Sequence, residues 1–230
     1  KFFIFSRLSW ILRFLTFSHK NHMEFAAKAL RELQVLSLKT HQEIIEKTNA
    51  KNDILKPGWL KLFKTSKSFK KYYLELDILN KNRANYTILN TSQIKKQFPD
   101  LEETFFKGIL FNNSIRVKSP LALSKKYFNY FVNSGGRFVR EECKDLKYKD
   151  DKWFINSDKQ KFNFDEVVVS AGPWSKKLLS TLGYDIPLAW ERGYHHHFSI
   201  KKKTCLNPAI HDVEGGFVYS SNGKEIRVTS

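Results

Sequence analysis

Residues 164–179 read FDEVVVSAGPWSKKLL. The run at 167–170 is short and apolar, of the kind that fills a buried strand. It empties into Ala171, Gly172 and Pro173, and Trp174 opens a helix expected to reach residue 182. Small residues at such a turn let something lie against the backbone, because a side chain would block close approach. A helix that starts there favours negative charge, such as a pyrophosphate. Strand, small-residue turn and helix is how α/β sheets present backbone to a ligand. Many α/β proteins have this turn and bind nothing at it, so its neighbours decide its meaning.

Upstream, SPLALSKKYFNYFVNSGG (119–136) is the best-punctuated helix: Ser119 can cap it, Pro120 suits the first position and Gly135 suits the exit. RFVRE (137–141) reads as a strand, and further strands are expected at 144–148, 153–156 and 166–170. Earlier in the chain, residues 24–47 place Ala26, Leu30, Leu33 and Ile44 on one helical face. KPGWLKLF (56–63) reads as a turn and strand, and SKSFKKYYLELDILNK (66–81) as one helix. YTIL and GILF are short strands around a helix, NTSQIKKQFP, closed by Pro99. Beyond Pro187 the pattern changes: PLAWERGYHHHFSI and GGFVYSSNGKEIRV alternate as long strands, with turns at Gly215-Gly216 and Asn222-Gly223. The expected organisation is a mixed α+β layer split around an α/β layer.

The bulk numbers fit this. The chain has 230 residues, 41% hydrophobic and 15% aromatic, ample for a packed core. Forty basic residues against 23 acidic give a formal charge of +17. That excess reads as compositional drift, attraction to an anionic surface, or a nucleic-acid footprint. The lysines are scattered, Lys201 to Lys203 among them, with no stripe interleaved with aromatics, so nucleic acid is the weakest of the three. Cys143 and Cys205 make neither a metal spacing nor a disulfide framework, which implies a reducing compartment. The start, KFFIFSRLSWILRFLTF, is interrupted by Arg7 and Arg13 and is too short to span a membrane. It suits either an interfacial amphipathic helix or an ordinary core-facing one. His195, His196 and His197 are consecutive, and three such residues on a strand cannot converge on one ion, so no metal is expected. Carboxylate pairs such as Glu141-Glu142 and Asp150-Asp151 read as solvated turn charges.

Taken in order, WILRFL (10–15), KPGWLKLF, SPLALSKKYFNYFVNSGGRF, VVVSAGPWSKKLLSTLG and PLAWERGYHHHF resemble segments of the FAD-dependent D-amino acid dehydrogenase/oxidase family, in particular the small-subunit type of the bacterial dehydrogenase. The run Glu191-Arg192-Gly193-Tyr194-His195 is the most specific piece. The resemblance implies a partial glutathione-reductase-like FAD-binding domain with a mixed-sheet substrate (cap) domain. The expected boundaries are 1–115 for the first part of the cap, 116–186 for the FAD-binding part and 187–230 for the remaining cap strands. It also implies that Ser170, Ala171 and Gly172 line the dinucleotide, that Trp174 packs beside it, and that the backbone of Cys143 faces the adenine.

Two departures stand out. The family's N-terminal GxGxxG turn, which cradles the pyrophosphate, is not in the sequence, and neither is its Gly-rich C-terminal FAD segment. The sequence therefore reads as an internal piece of a longer chain, inactive alone. The implied reaction is oxidation of a D-amino acid to the imino acid, and hence the 2-oxo acid, by hydride transfer to flavin N5. Arg192, Tyr194 and His195 are the candidates for fixing the substrate carboxylate. The expected partners are a small amino acid and an electron acceptor such as a quinone or the respiratory chain. The expected location is the cytoplasm, with peripheral contact at the inner membrane left open. A glycine-, sarcosine- or proline-type amine oxidase is the alternative within the class, and a non-catalytic basic binding module the alternative outside it.

Overall fold

The structure is a computed structural model and describes residues 8–188, 190–200, 206–221 and 225–230. Lys201 to Lys203, Cys205, the Asn222-Gly223 turn and the first seven residues, Arg7 included, lie outside the described residues. The chain forms two compact units, Lys1–Phe131 with Tyr194–Ser230, and Val132–Gly193.

The first unit opens with helices α1 (Leu8–Phe17) and α2 (Lys20–Lys47). Its elements then run β1 (Ile54–Leu55), β2 (Trp59–Phe63), α3 (Ser66–Lys71), α4 (Tyr73–Lys81), β3 (Tyr86–Asn90), α5 (Thr91–Gln97), β4 (Lys107–Phe111), β5 (Arg116–Val117) and the start of α6 (Pro120–Asn133). The second unit contains β6 (Cys143–Lys149), β7 (Lys152–Ser157), β8 (Lys161–Phe164) and α7 (Ser175–Ser180). The first unit resumes with β9 (His195–Ser199), β10 (Ala209–Asp212), β11 (Phe217–Ser221) and β12 (Glu225–Thr229).

A seven-stranded mixed sheet organises the first unit, in the order β3-β4-β2-β10-β11-β12-β9. Among the described residues only β2 and β10 pair in parallel, with Trp59 beside Ala209 and Leu62 beside Asp212. Period-two alternation makes β2 the core of two layers. Leu60 and Leu62 join Leu89, Ile94, Phe105 and Ile210 on one face, under α5. Phe63 turns to the other face and meets Phe69, Leu76 and Ile109 under α3 and α4. Local chemistry sets the entries to these elements. Gly58 has φ +79°, and a Cβ there would stand 2.7 Å from the Phe111 carbonyl oxygen, so only glycine admits the strand. Asn90 and Gln93 form a reciprocal capping box at α5. Ser119 Oγ accepts from the Ala122 N–H, 3.2 Å, at the start of α6.

The expected single helix over 66–81 is two helices, broken at Tyr72 (φ −88°, ψ 5°). The break lets Tyr72 lay its ring 5.3 Å from that of Phe63 and accept a hydrogen bond from Lys61 Nζ, 3.0 Å. Phe69 and Leu76 then both face the sheet, while Tyr73 is exposed. On α2, the apolar stripe that includes Leu30 and Leu33 is exposed, and Ile45 is the helix's one buried residue.

In the second unit β6, β7 and β8 form an antiparallel meander. Asp150 and Asp151, both at positive φ, make the two-residue turn between β6 and β7. Leu146 is the unit's one buried apolar side chain among the described residues. Two expected strands do not form. Residues 137–141 are irregular, and Phe138 is exposed. Residues 166–170 join no sheet, and Val168 is 87% exposed, so the expected buried strand is an open segment. A strand is completed by a hydrogen-bonded neighbour, and none of the described residues supplies one. The strand that forms instead is Lys161–Phe164, which alternates and pairs with β7. The long strand expected from residue 187 shortens to His195–Ser199.

Candidate functional site

Residues 164–170 lead into an open turn. Gly172 has φ +56°, and a Cβ placed there would meet nothing within 4 Å. Ser170, Ala171 and Gly172 are all exposed. A 3-10 turn, Gly172–Trp174, leads into α7, which spans Ser175–Ser180 and so stops short of the expected residue 182. Helix α7 has only six residues, so its dipole offers less to an anion than a long helix would. The Trp174 ring is 62% exposed and stands edge-on to Trp190, 5.6 Å between centroids.

Cys143 opens β6, partly buried, at an irregularity in the β6–β7 register. Burial and then the nearby Asp145 carboxylate push its thiol above the ordinary range, which keeps it protonated and unreactive. Its Sγ donates weakly to the Asp145 carbonyl oxygen, 3.6 Å.

The candidates for substrate contact fall in both units. Arg192 lies in the irregular, exposed end of the second unit. Tyr194 and His195 begin the returning part of the first. Tyr194 is fixed by its backbone, which exchanges hydrogen bonds with Ser230 at 3.3 and 3.1 Å, while its ring stays exposed. His195 pairs with Thr229 across the sheet. Its ring neighbours that of His197, 5.5 Å, and His196 neighbours Phe198, 4.7 Å, so alternate residues share a face, as strand geometry requires. His197 Nδ1 also lies 3.0 Å from Glu225 Oε2.

Sequence reasoning passed over the basic side chains of Arg116, Lys118 and Arg227, which line a cleft with His197 and Glu225 in the first unit. It also passed over the polar cluster at the end of β2. There the buried Asp212 meets Lys64 Nζ at 3.2 Å and accepts from the Gly215 N–H at 2.9 Å. Glu214 accepts from the N–H groups of Lys64 and Thr65 and from Ser68 Oγ. The sequence signal for this cluster, a lysine and two acids at strand ends, is indistinguishable from ordinary surface charge.

The family described as DAO: FAD dependent oxidoreductase matches residues 11–230. The chain belongs to this family. It is 26% identical over 190 residues to a D-amino-acid oxidase of Bradyrhizobium diazoefficiens, covering 82% of this chain and 45% of the relative. Among solved structures, it is similar to glycine oxidase from Bacillus cereus, with a TM-score of 0.69 at 18% identity over 89% of this chain and 55% of that one. It is also similar to L-proline dehydrogenase from P. horikoshii, with a TM-score of 0.66 at 15% identity over 83% of this chain and 53% of that one. At those identities the structural likenesses establish the fold, a mixed α/β architecture consistent with a partial FAD-binding fold. The chain spans about half the length of each of these relatives.

Proposed function

We propose that this chain forms part of an enzyme that oxidises a D-amino acid at its Cα–N bond. The product is the imino acid, which water converts to the 2-oxo acid and ammonia. The observation that carries this reading is the 26% identity to a D-amino-acid oxidase along 82% of the chain. Bound FAD supplies the hydride acceptor, at its N5. The open side of Gly172, the unpaired backbone before it and the exposed face of Trp174 fit a group lying along the turn. They support Ser170, Ala171 and Gly172 as backbone contacts to the dinucleotide, with Trp174 beside it. The pyrophosphate turn GxGxxG is not among the 230 residues, so this chain's residues provide one side of such a seat. Cys143 serves through its backbone, in keeping with a thiol held protonated.

Arg192, Tyr194 and His195 act by position. The guanidinium of Arg192 is suited to grip a carboxylate with two parallel bonds, and the Tyr194 hydroxyl is a donor of the kind a carboxylate accepts. His195 points to the opposite face of the strand from Tyr194, so only one of the two faces the substrate, and His195 serves as the alternative donor. The exposed Leu12, Phe14, Leu15 and Phe17 of α1 support peripheral contact with a membrane surface, and a quinone is the electron acceptor that suits such a location. Among the described residues no helix is long and apolar enough to cross a membrane.

The test uses the protein expressed from its own gene and challenged without oxygen by D- and L-amino acids, glycine, sarcosine and proline. Bleaching of the flavin by D-amino acids supports the reading. Bleaching by glycine, sarcosine or proline alone moves the protein to the related amine oxidases. A folded protein without flavin would falsify the proposal, and if it instead bound nucleic acid with steep salt dependence, the basic-module reading would take over.

A further inference from the structure

A cleft of about 530 Å³ opens within the first unit. Its walls come from two different sheets. Arg116 on β5, followed by Lys118 and Ser119, lines one side; Arg227 and Glu225 on β12, with His197 on β9, line the other. Arg227 and His197 are direct cross-strand partners, so the register itself brings them together.

The charges of this cleft are unequally satisfied. The carboxylate of Glu225 is engaged by His197 Nδ1, 3.0 Å away. Arg116, half-buried, spends one donor on the Leu206 carbonyl oxygen at a long 3.4 Å. Among the described residues, none of the ion pairs includes Arg116, Lys118 or Arg227. Elsewhere in the first unit lysines find acids, as Lys64 finds Asp212 and Glu103, and Lys126 finds Asp53. Three cations facing one partly enclosed volume repel each other, and an anion between them relieves that repulsion. The two arginines reach the cleft from strands of different sheets, and each guanidinium has the fork geometry that matches a carboxylate.

We propose that this cleft binds a small dicarboxylate, one carboxylate at the Arg116 and Lys118 wall and the other at the Arg227 wall. Insofar as the chain is an amino-acid oxidoreductase, which rests on the reading above, the substrate is an amino acid with an acidic side chain, whose carboxylates this cleft then holds in place of Arg192, Tyr194 and His195. The dicarboxylate site itself does not depend on that reading.

The experiment is a calorimetric titration of the full chain, at fixed ionic strength, with succinate, acetate, inorganic phosphate and uncharged succinamide. Succinate is expected to bind saturably at one site, roughly tenfold more tightly than acetate, with no heat from succinamide. Arg227→Gln and Arg116→Gln are expected to weaken succinate by roughly tenfold each, while Lys67→Gln, an exposed cation on α3, leaves it unchanged. Arg116→Lys keeps the charge without the fork and is expected to fall between the parent and Arg116→Gln. Circular dichroism of each variant separates lost binding from lost folding, and the exposed Arg227 carries the test if Arg116→Gln does not fold. The proposal is overturned by the absence of saturable succinate binding. It is equally overturned if phosphate matches succinate, or if succinate is indifferent to Arg227→Gln in a folded variant, because the attraction is then only the net charge. A preference for D-aspartate over D-alanine in flavin bleaching extends the site to the substrate. Succinate binding without any flavin bleaching leaves the cleft standing and removes the oxidoreductase reading; bleaching without succinate binding does the reverse.

Discussion

The two compact units differ in what covers their strands. All the buried apolar side chains among the described residues, except Leu146, belong to the first unit. There β2 lies between helices, with α5 over Leu60 and Leu62, and α3 and α4 over Phe63. In the second unit the valines at 167–169 are as apolar as β2, yet Val168 is almost fully exposed. Apolar sequence states what a segment needs. Whether the need is met depends on a second layer and a neighbouring strand, and the two units differ in both. The first unit is therefore expected to carry nearly all the chain's stability, and the second to carry exposed backbone suited to contact.

Four substitutions can break or sharpen that contrast. Leu62→Ala empties a fully buried site at the centre of the sheet and is expected to cost about 2–5 kcal/mol in urea unfolding. A cost below about 1 kcal/mol would mean that β2 is not the core of its unit. Asp212→Ala comes next, at about 2 kcal/mol, because it strips Lys64 and the Gly215 N–H of a buried partner. A neutral result would show Glu103, 2.9 Å from the same ammonium, to be sufficient alone.

Glu214→Gln is expected to cost about 1 kcal/mol at neutral pH, since the carboxylate is largely exposed. Burial by itself would raise the Glu214 carboxyl, but the bonds from Ser68 and from the backbone of Lys64 and Thr65 outweigh it and hold it below its usual range. The unfolded chain then binds more protons as pH drops, so this contribution is full above the ordinary carboxylate range and disappears as pH falls through the depressed folded value. Stability of the Glu214→Gln variant should therefore fall less steeply with acid than that of the parent. Parallel curves of urea midpoint against pH would refute the assignment.

The smallest effect is expected in the second unit. Val168→Ser should stay within about 0.5 kcal/mol, and the amides of 166–170 should exchange with solvent far faster than those of β2. Slow exchange there would mean that a layer covers the valines in solution.

Much of the first unit was legible because its signals are local. Gly58 before β2, the Asn90 cap of α5 and the Ser119-Pro120 start of α6 each mark a boundary by their own chemistry. Residues 209–212, AIHD, carry no such mark, and their place beside β2 follows from a pairing with no local cause. RFVRE and EVVVS failed for the opposite reason: both have strand composition, and neither joins a sheet among the described residues. The run ERGYH was legible as a family signature. Its spatial consequence was legible only in part, since alternation sorted His195 and His197 onto one face but could not say which neighbours they meet. The cleft escaped because Arg116 and Arg227 become neighbours only through the tertiary fold, and isolated basic residues in a chain of charge +17 look like solvated surface.

The parallel pairing of β2 with β10 joins positions 150 residues apart, Trp59 and Ala209. During synthesis β3, β4 and β2 can assemble as soon as residue 111 has emerged, but β2 must then wait with one edge bare until β10 is made. The strand that anchors both core layers is, for that interval, an open template for any other extended chain. Refolding should accordingly be slow, because so distant a closure precedes the contacts that reward it. Losses to aggregation should rise with protein concentration and fall when a holdase chaperone shields that edge.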